Sequence, residues 1–400
     1  MTAGTLLRTT PFHSRTASLS QGQAWRRWAG YVAASAYELT HEREYSAIRN
    51  AAALFDVTPL QKYHIGGRDA GRLLDRVVTR NVGKCAVRQV MYTPWCDANG
   101  KVIDDGTIAR LDERSYRLTA AEPNLRWLHE NAVGMDVAIE DVSDSIAALS
   151  IQGPTSRAIL AELCDGDIAS LKFFRLMPTR MRGIPVTISR TGYTGDLGFE
   201  LWVENRFAEA LWDALVEVGA AHGLAPSGLL ALDIARIEGG LILLDVDYVS
   251  AHHAAIDSQM SSPFEIGLGW AVSLDKTGFV GERALRDEKE RGSGWQLVGL
   301  EVDWESLERL YAAVGLPPKL PTVAWRVSVP VYDGARQVGY ATSGCWSPLL
   351  KRYIALAHVE AAQSKPGSVL AMEVTVEHRR RRAVARVVKT PFFDPPRKRS

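Results

Sequence analysis

Two alternating runs dominate the middle of the chain. Over 186–190 and again over 199–204, apolar and polar positions exchange at each residue, with the composition of paired β-strands. Gly192, Gly195 and Gly198 lie between the runs and predict a tight, irregular turn, so 186–204 reads as a hairpin. On its second strand Phe199, Leu201 and Val203 share one face, and Glu200, Trp202 and Glu204 share the other. By pattern alone Glu200 is a solvated carboxylate. Helical spacing appears elsewhere. Residues 42–54 predict a helix that runs into a strand within 55–67, and Leu73, Leu74, Val77 and Val78 form a stripe behind Asp69, a helix-capping residue type. Phe207, Leu211, Leu215 and Val218 form another stripe, ended by His222-Gly223. Residues 151–160 read as a strand, a Gly-Pro turn and a helix with Pro154 in its first turn. Asn99-Gly100 and Asp333-Gly334 predict two further hairpins, and strands dominate after the charged linker at 286–294. No internal repeat is legible.

Composition narrows the function classes. Four hundred residues suffice for two or three cores, and 46% hydrophobic with 23% charged residues is ordinary globular composition. Lys plus Arg number 47 against 46 Asp plus Glu, which leaves no overall field to steer nucleic acid, and the run Arg379 to Arg382 reads as a solvated face. Cys85, Cys96, Cys164 and Cys345 include no CxxC pair. Neither a zinc site nor a disulfide framework is therefore expected, and a reducing cytoplasm is the simplest location. No apolar run reaches the length of a membrane span. The first 37 residues lack acidic side chains but also lack an apolar signal core, and they read as part of the fold. Dinucleotide, P-loop and serine-elbow motifs are absent.

The candidate chemistry sits in two stretches. Residues 91–111, MYTPWCDANGKVIDDGTIARL, place Asp104 and Asp105 on the strand after the Asn99-Gly100 turn; by pattern such acids cap and solvate loops. The second stretch, SRTGYTGDLGFEL at 189–201, resembles the signature of the glycine-cleavage T-protein family, the tetrahydrofolate-dependent aminomethyltransferases and their demethylase relatives. WAGY at 28–31, Phe55-Asp56-Val57, SPFE…GLGW at 262–270, FVGERAL at 279–285, ATSGCWSP at 341–348 and the KTPFF segment near the end extend the resemblance from about residue 28 onward.

That resemblance implies an α+β fold. Residues 1–290 would form a folate-binding domain of subdomains around a central cavity, and 291–400 a small β-barrel. It makes Asp105 the catalytic carboxylate, with Asp104 facing the other way. Glu200 would bond the pterin, Tyr92 and Tyr193 would line the pocket, and Phe173 would flank the folate tail, whose glutamate would draw Arg397 and Arg399. Asp233, Arg236 and Glu238 match a family helix and read as structural ion pairs. Around the donor the chain departs from the family: Pro59-Leu60 replaces a His-Met, Leu232 an arginine and Leu241 an aromatic. Leu60, His64, Leu232, Leu241 and His253 are accordingly the candidate donor-side residues. The expected function is transfer of a methyl or methylene group from a small, largely apolar donor to tetrahydrofolate, with no metal, membrane or nucleic-acid partner. The alternatives are aminomethyl transfer from a lipoyl carrier protein, and a folate-binding protein without transferase activity.

Overall fold

The computed structural model describes residues 7–400. The chain enters through α1 (His13–Leu19) and a short hairpin, β1 (Trp25–Trp28) and β2 (Tyr31–Ala34). The helix expected over 42–54 is shorter. α2 (Glu42–Asn50) stops where Ala51 leaves the helical region at φ −142°, and the next residues extend into β3 (Ala52–Asp56). Ala52, Ala53, Leu54 and Phe55 are all buried, as in a strand covered on both faces, which periodicity cannot distinguish from a buried helix turn.

β4 (Gln61–Gly66), α3 (Ala70–Val77), β5 (Val90–Cys96), β6 (Val102–Asp112), β7 (Ser115–Ala120), α4 (Leu125–Asn131) and β8 (Ala138–Asp141) follow. Their strands make an antiparallel sheet in the order β5-β6-β7-β4-β8. Gly100, at φ +72°, closes the β5–β6 hairpin at the predicted turn. Asp69 precedes α3, but its carboxylate accepts from the Asp136 N–H at 2.8 Å instead of capping the helix.

β9 (Ile146–Gln152), α5 (Ser156–Leu163), β10 (Leu176–Met181), β11 (Ile184–Ser189), β12 (Gly198–Glu204), α6 (Ala208–Gly219), β13 (Leu224–Pro226) and α7 (Leu229–Glu238) build the second sheet, ordered β10-β11-β12-β9-β3-β13. The 186–204 hairpin appears as β11 and β12, and Gly223, at φ +72°, ends the helical stretch that begins with α6.

These two sheets repeat one plan. A strand, a helix and three antiparallel strands recur in the orders β5-β6-β7-β4 and β10-β11-β12-β9. The glycine after the first strand has the same unusual backbone in both halves, φ +126° at Gly67 and +127° at Gly153. Only scattered identities remain between the halves, such as Ile65/Ile151 and Leu74/Leu160, while register and turn geometry persist, so the repeat escapes a reading of residues. Each sheet buries its apolar face under its helices: Tyr63, Ile65, Ile108 and Leu118 in the first half, Leu149, Ile151, Ile188 and Leu201 in the second.

After α8 (Glu282–Arg291) the chain forms β14 (Trp295–Val302), α9 (Trp304–Ala312), β15 (Val329–Asp333), β16 (Arg336–Ser347), β17 (Arg352–Glu360), β18 (Val369–Val376) and β19 (Arg379–Val388). The strands close into a barrel, β14-β17-β16-β15-β18-β19, around Leu300, Val331, Val338, Ala357, Met372 and Ala385. α7 lies between this barrel and α2, and every residue from Ala231 to Glu238 is buried. Its charged residues are therefore paired. Arg236 bonds Asp233 at 2.9 Å and also Asp247, whose carboxylate accepts from Thr342 at 2.5 Å and Ser343 at 2.7 Å on the barrel. Glu238 accepts from Arg49 Nε at 2.9 Å.

Candidate active site

Pleating fixes which side chains meet between the sheets. Directly paired residues share a face, as do residues two apart on a strand. With Tyr63, Ile108 and Leu118 turned to the core, Lys62, Thr119, Thr107 and Tyr92 line the opposite face, together with Arg117 and Asp105. On the second sheet, burial of Phe199 and Leu201 turns Glu200 and Trp202 the same way as Ser189 and Ser150. The two faces approach each other: the Arg117 guanidinium lies over the Trp202 ring, 4.1 Å from its centroid. Glu200 thus looks toward the facing sheet rather than into bulk water. Alternation identifies two faces but not what the polar one confronts.

Asp105 is held by two tyrosines. The Tyr92 hydroxyl donates to Oδ2 at 2.6 Å, and the Tyr248 hydroxyl donates to Oδ1. Burial raises the Asp105 pKa above its ordinary value, while the bonds from Tyr248 and Tyr92 oppose the shift. Tyr92 comes from β5, and Tyr248 is a buried residue of the segment after α7. Sequence reasoning missed Tyr248, because no motif marks an aromatic in LLDVDYVSA and only the tertiary fold carries it to β6.

Asp104 faces the other way, as expected, but it is a clamp. Its carboxylate accepts from the Asp105 N–H at 2.7 Å, the Glu122 N–H at 3.1 Å and Asn124 Nδ2 at 2.9 Å, tying β6 to the turn before α4. Burial, then the charge of Asp105, pushes its pKa well above normal. Asp104→Asn puts an amide against a donor and is expected to destabilise the fold by about 1–3 kcal/mol. Urea denaturation measures that loss, and an unchanged midpoint would contradict the clamp.

Glu200 accepts from Thr191 Oγ1 at 2.7 Å. Its pKa is raised by burial, against the opposing influence of Thr191, Arg117 and Ser189. Tyr193 donates to the Ile242 carbonyl and packs with Leu60 against the cluster containing Leu232, Phe55 and Trp202. Lys62 is saturated by the Thr58 and Leu60 carbonyls, both at 2.7 Å, and burial lowers its pKa to about 8; it fixes the loop carrying Leu60. Trp270, in the GLGW stretch, stacks on Tyr92 at 6.1 Å while remaining 63% exposed, so it forms a rim. Phe173 meets Phe174 edge-on at 4.7 Å, and Phe174 packs with Val90 and Ala109 at the end of the cavity away from Asp105.

The other candidates lie apart from this constellation. His64 shares the inner face but sits at its far end, with Nε2 at 2.9 Å from Ser115 Oγ. Leu241 is tied through its backbone to Arg236, and its side chain lies outside the Leu232 cluster. His253 is exposed. Arg397 gives its fork to Asp196, at 2.7 and 2.8 Å, and so fastens the chain end to the fold, whereas Arg399 bonds Asp394 at 2.9 Å in a local pair within that end. Among the described residues, no cluster of three or more His, Cys, Asp or Glu is placed to hold a metal, and no helix is long and apolar enough to cross a membrane.

Comparison with known proteins agrees with this architecture. Residues 10–276 match the GCVT N-terminal domain, and residues 312–394 match the glycine cleavage T-protein C-terminal barrel domain. The chain is 35% identical over 357 residues to an aminomethyltransferase of Halalkalibacterium halodurans, covering 88% of this chain and 89% of that one. It is 36% identical over 358 residues to an aminomethyltransferase of Bacillus cereus, covering 88% and 89%. The glycine cleavage system aminomethyltransferase T of Bartonella henselae superposes with a TM-score of 0.82 over 97% of this chain and 98% of that one, at 23% identity, which shows the fold. With both domains matched across most of its length, the chain belongs to the glycine-cleavage T-protein family, whose members transfer one-carbon units to tetrahydrofolate.

Proposed function

We propose that the cavity between the two half-sheets binds tetrahydrofolate and passes a one-carbon unit to it. The observation that carries this reading is the Asp105 carboxylate, held by Tyr92 and Tyr248 on the inner face opposite Glu200. Tetrahydrofolate supplies the nucleophilic N5, which bonds to the carbon as the bond from that carbon to the donor heteroatom breaks. The electron pair leaves with the donor, and the N5 proton passes to it. Glu200 accepts hydrogen bonds from the amino and ring N–H groups of the pterin, an arrangement suited to a carboxylate. Asp105 presents a fixed negative charge that orients the reacting nitrogen and stabilises positive charge developing during transfer. The tyrosine bonds set its rotamer before the substrate arrives, so little reorganisation remains. Phe173 and Phe174 offer aromatic walls for the folate tail at the other end of the face.

Two donors fit. The relatives at 35% and 36% identity carry the name aminomethyltransferase, which supports transfer of an aminomethyl group, with a lipoyl carrier protein as the donor's bearer. A second reading draws support from one apolar cluster in which Leu232, Leu60, Tyr193 and Trp202 pack together, Leu232 and Leu60 being the residues that the family resemblance assigns to the donor. Such a wall disfavours a polar arm left without partners and suits a small methyl or methylene donor. The test offers purified protein tetrahydrofolate with aminomethyl-lipoyl carrier protein, or with a series of methylated small molecules, and identifies the folate product by mass spectrometry. Turnover of the carrier alone selects the first reading and turnover of small donors alone the second. No folate product from either would overturn the transferase assignment.

A further inference from the structure

Arg117 has no role in the site as described so far, yet its placement is costly. It is 6% exposed, and among the described residues its Nε finds no hydrogen-bond partner. Burial lowers its pKa to about 10, with Glu200 the charge that opposes the shift. Its contact is the face of Trp202, which supports the flat of the guanidinium and leaves its edge free. A buried guanidinium with an unfilled edge is less favourable than a paired one. That arrangement persists in a fold where a ligand completes it.

The repeat shows what the edge confronts. In the first half Gly66 pairs with Ser115 and His64 with Arg117; in the second Gln152 pairs with Gly198 and Ser150 with Glu200. Gly67 and Gly153 follow Gly66 and Gln152 in the same backbone conformation. Arg117 and Glu200 are therefore equivalent positions of the two halves, one cationic and one anionic, on faces that confront each other. They do not neutralise one another directly, since one Glu200 oxygen is held by Thr191 and the Arg117 Nε remains unpartnered. A ligand that fits between them offers hydrogen-bond donors to the acid and an acceptor to the guanidinium.

A pterin edge has that order: a 2-amino group and N3–H as donors, then a 4-oxo acceptor. We propose that Arg117 donates to the pterin 4-oxygen while Glu200 takes the 2-amino and N3 hydrogens, so that the pair reads the 2-amino-4-oxo edge and rejects a 2,4-diamino one. The inference rests on the Glu200–pterin reading and extends it. In the neutral 2,4-diamino compound a donor replaces the 4-oxo acceptor, leaving the guanidinium unsatisfied against an N–H group. N3 also loses the hydrogen that Glu200 accepts, so both members of the pair reject it. Because the 4-oxygen lies beside N5, the same contact places a cation next to the reacting nitrogen, disfavours its protonation and keeps its lone pair available.

The test is calorimetric titration with tetrahydropterin and with its 2,4-diamino analogue, at a pH where both are neutral. Wild-type protein is expected to favour the 4-oxo compound by about 10–100-fold. Arg117→Met, which keeps apolar bulk over Trp202, should weaken the 4-oxo compound and lower the ratio several-fold, to the remainder that Glu200 sets through N3–H; Arg117→Lys should restore part of the difference. Equal wild-type affinities overturn the proposal without any variant, so misfolding of Arg117→Met cannot shelter it. A ratio unchanged in Arg117→Met also overturns it. If that variant binds both pterins normally but loses turnover only with carboxylate-bearing donors, the guanidinium faces the donor and the proposal is likewise wrong. Glu200→Gln is the separating control: if it leaves both affinities intact, the Glu200–pterin reading itself fails.

Discussion

Replacing Asp105 by Asn is expected to cut turnover by ~10²-fold or more while leaving tetrahydrofolate affinity within about twofold. The variant removes a charge, not a shape. Both tyrosine hydroxyls can rotate, and the one that meets the new amide can accept where it formerly donated. The loss should therefore appear in the single-turnover rate, with the fold and the folate complex preserved. Rates within a factor of about two of wild type would remove Asp105 from the mechanism.

The same residue is expected to set the acid limb of the pH profile. Burial holds the Asp105 pKa above its ordinary value, so the carboxylate form is reached only above the usual aspartate range. Turnover should rise with pH through that raised value, and Asp105→Asn should lose this limb. Stability runs in the opposite sense. Asp104, Asp105 and Glu200 all have raised folded-state values, chiefly through burial, so the native state holds these protons more tightly than the unfolded chain. Their contribution is fully present below the unfolded values and is lost as pH rises through the folded ones. Urea midpoints of Asp105→Asn against wild type, measured across the acid range, test this, because the variant should lose part of the slope.

Arg236→Met is expected to destabilise the protein by about 3–5 kcal/mol, the cost of breaking a buried pair from one side. Arg236 is 1% exposed and joins Asp233 on its own helix to Asp247. Asp247 in turn accepts from Thr342 and Ser343 of β16, so this arginine lies at the junction between α7 and the barrel. Asp233 keeps a second partner in Arg326 at 2.6 Å, whereas Asp247 would be left with hydroxyl and backbone donors alone. Barrel docking should weaken with it. Denaturation by urea, followed separately by tryptophan fluorescence and circular dichroism, checks both points. A loss below about 1 kcal/mol would show that the ion pairs do not lock the junction.

What could be read from the residues follows the physics of each feature. The 186–204 hairpin, the Asn99-Gly100 turn and the stripe of α6 are local, and alternation, turn chemistry and 3.6-residue spacing write them directly. Glu200 shows where local pattern stops: a polar face lining a cavity is spelled like one facing water. Tyr248 and Arg117 are less legible still. One reaches Asp105 from a segment without a motif, and the other owes its meaning to Glu200 on a sheet whose relation to its own is structural. The repeat is hard to see because Gly67 and Gly153 preserve a backbone angle while most of their neighbours differ in residue type. Arg397 makes the reverse point. Its charge suggested attraction to a folate tail, whereas the fold gives its guanidinium to Asp196.

The central claim is that tetrahydrofolate sits between the two half-sheets with its pterin on Glu200. Isothermal titration of tetrahydrofolate into wild-type protein and into Glu200→Ala tests it most directly. One site per chain is expected, with an affinity loss of about 1–3 kcal/mol in the variant as charge-assisted bonds to the pterin go unmade. Equal affinity in the two proteins, with both folded, would contradict it.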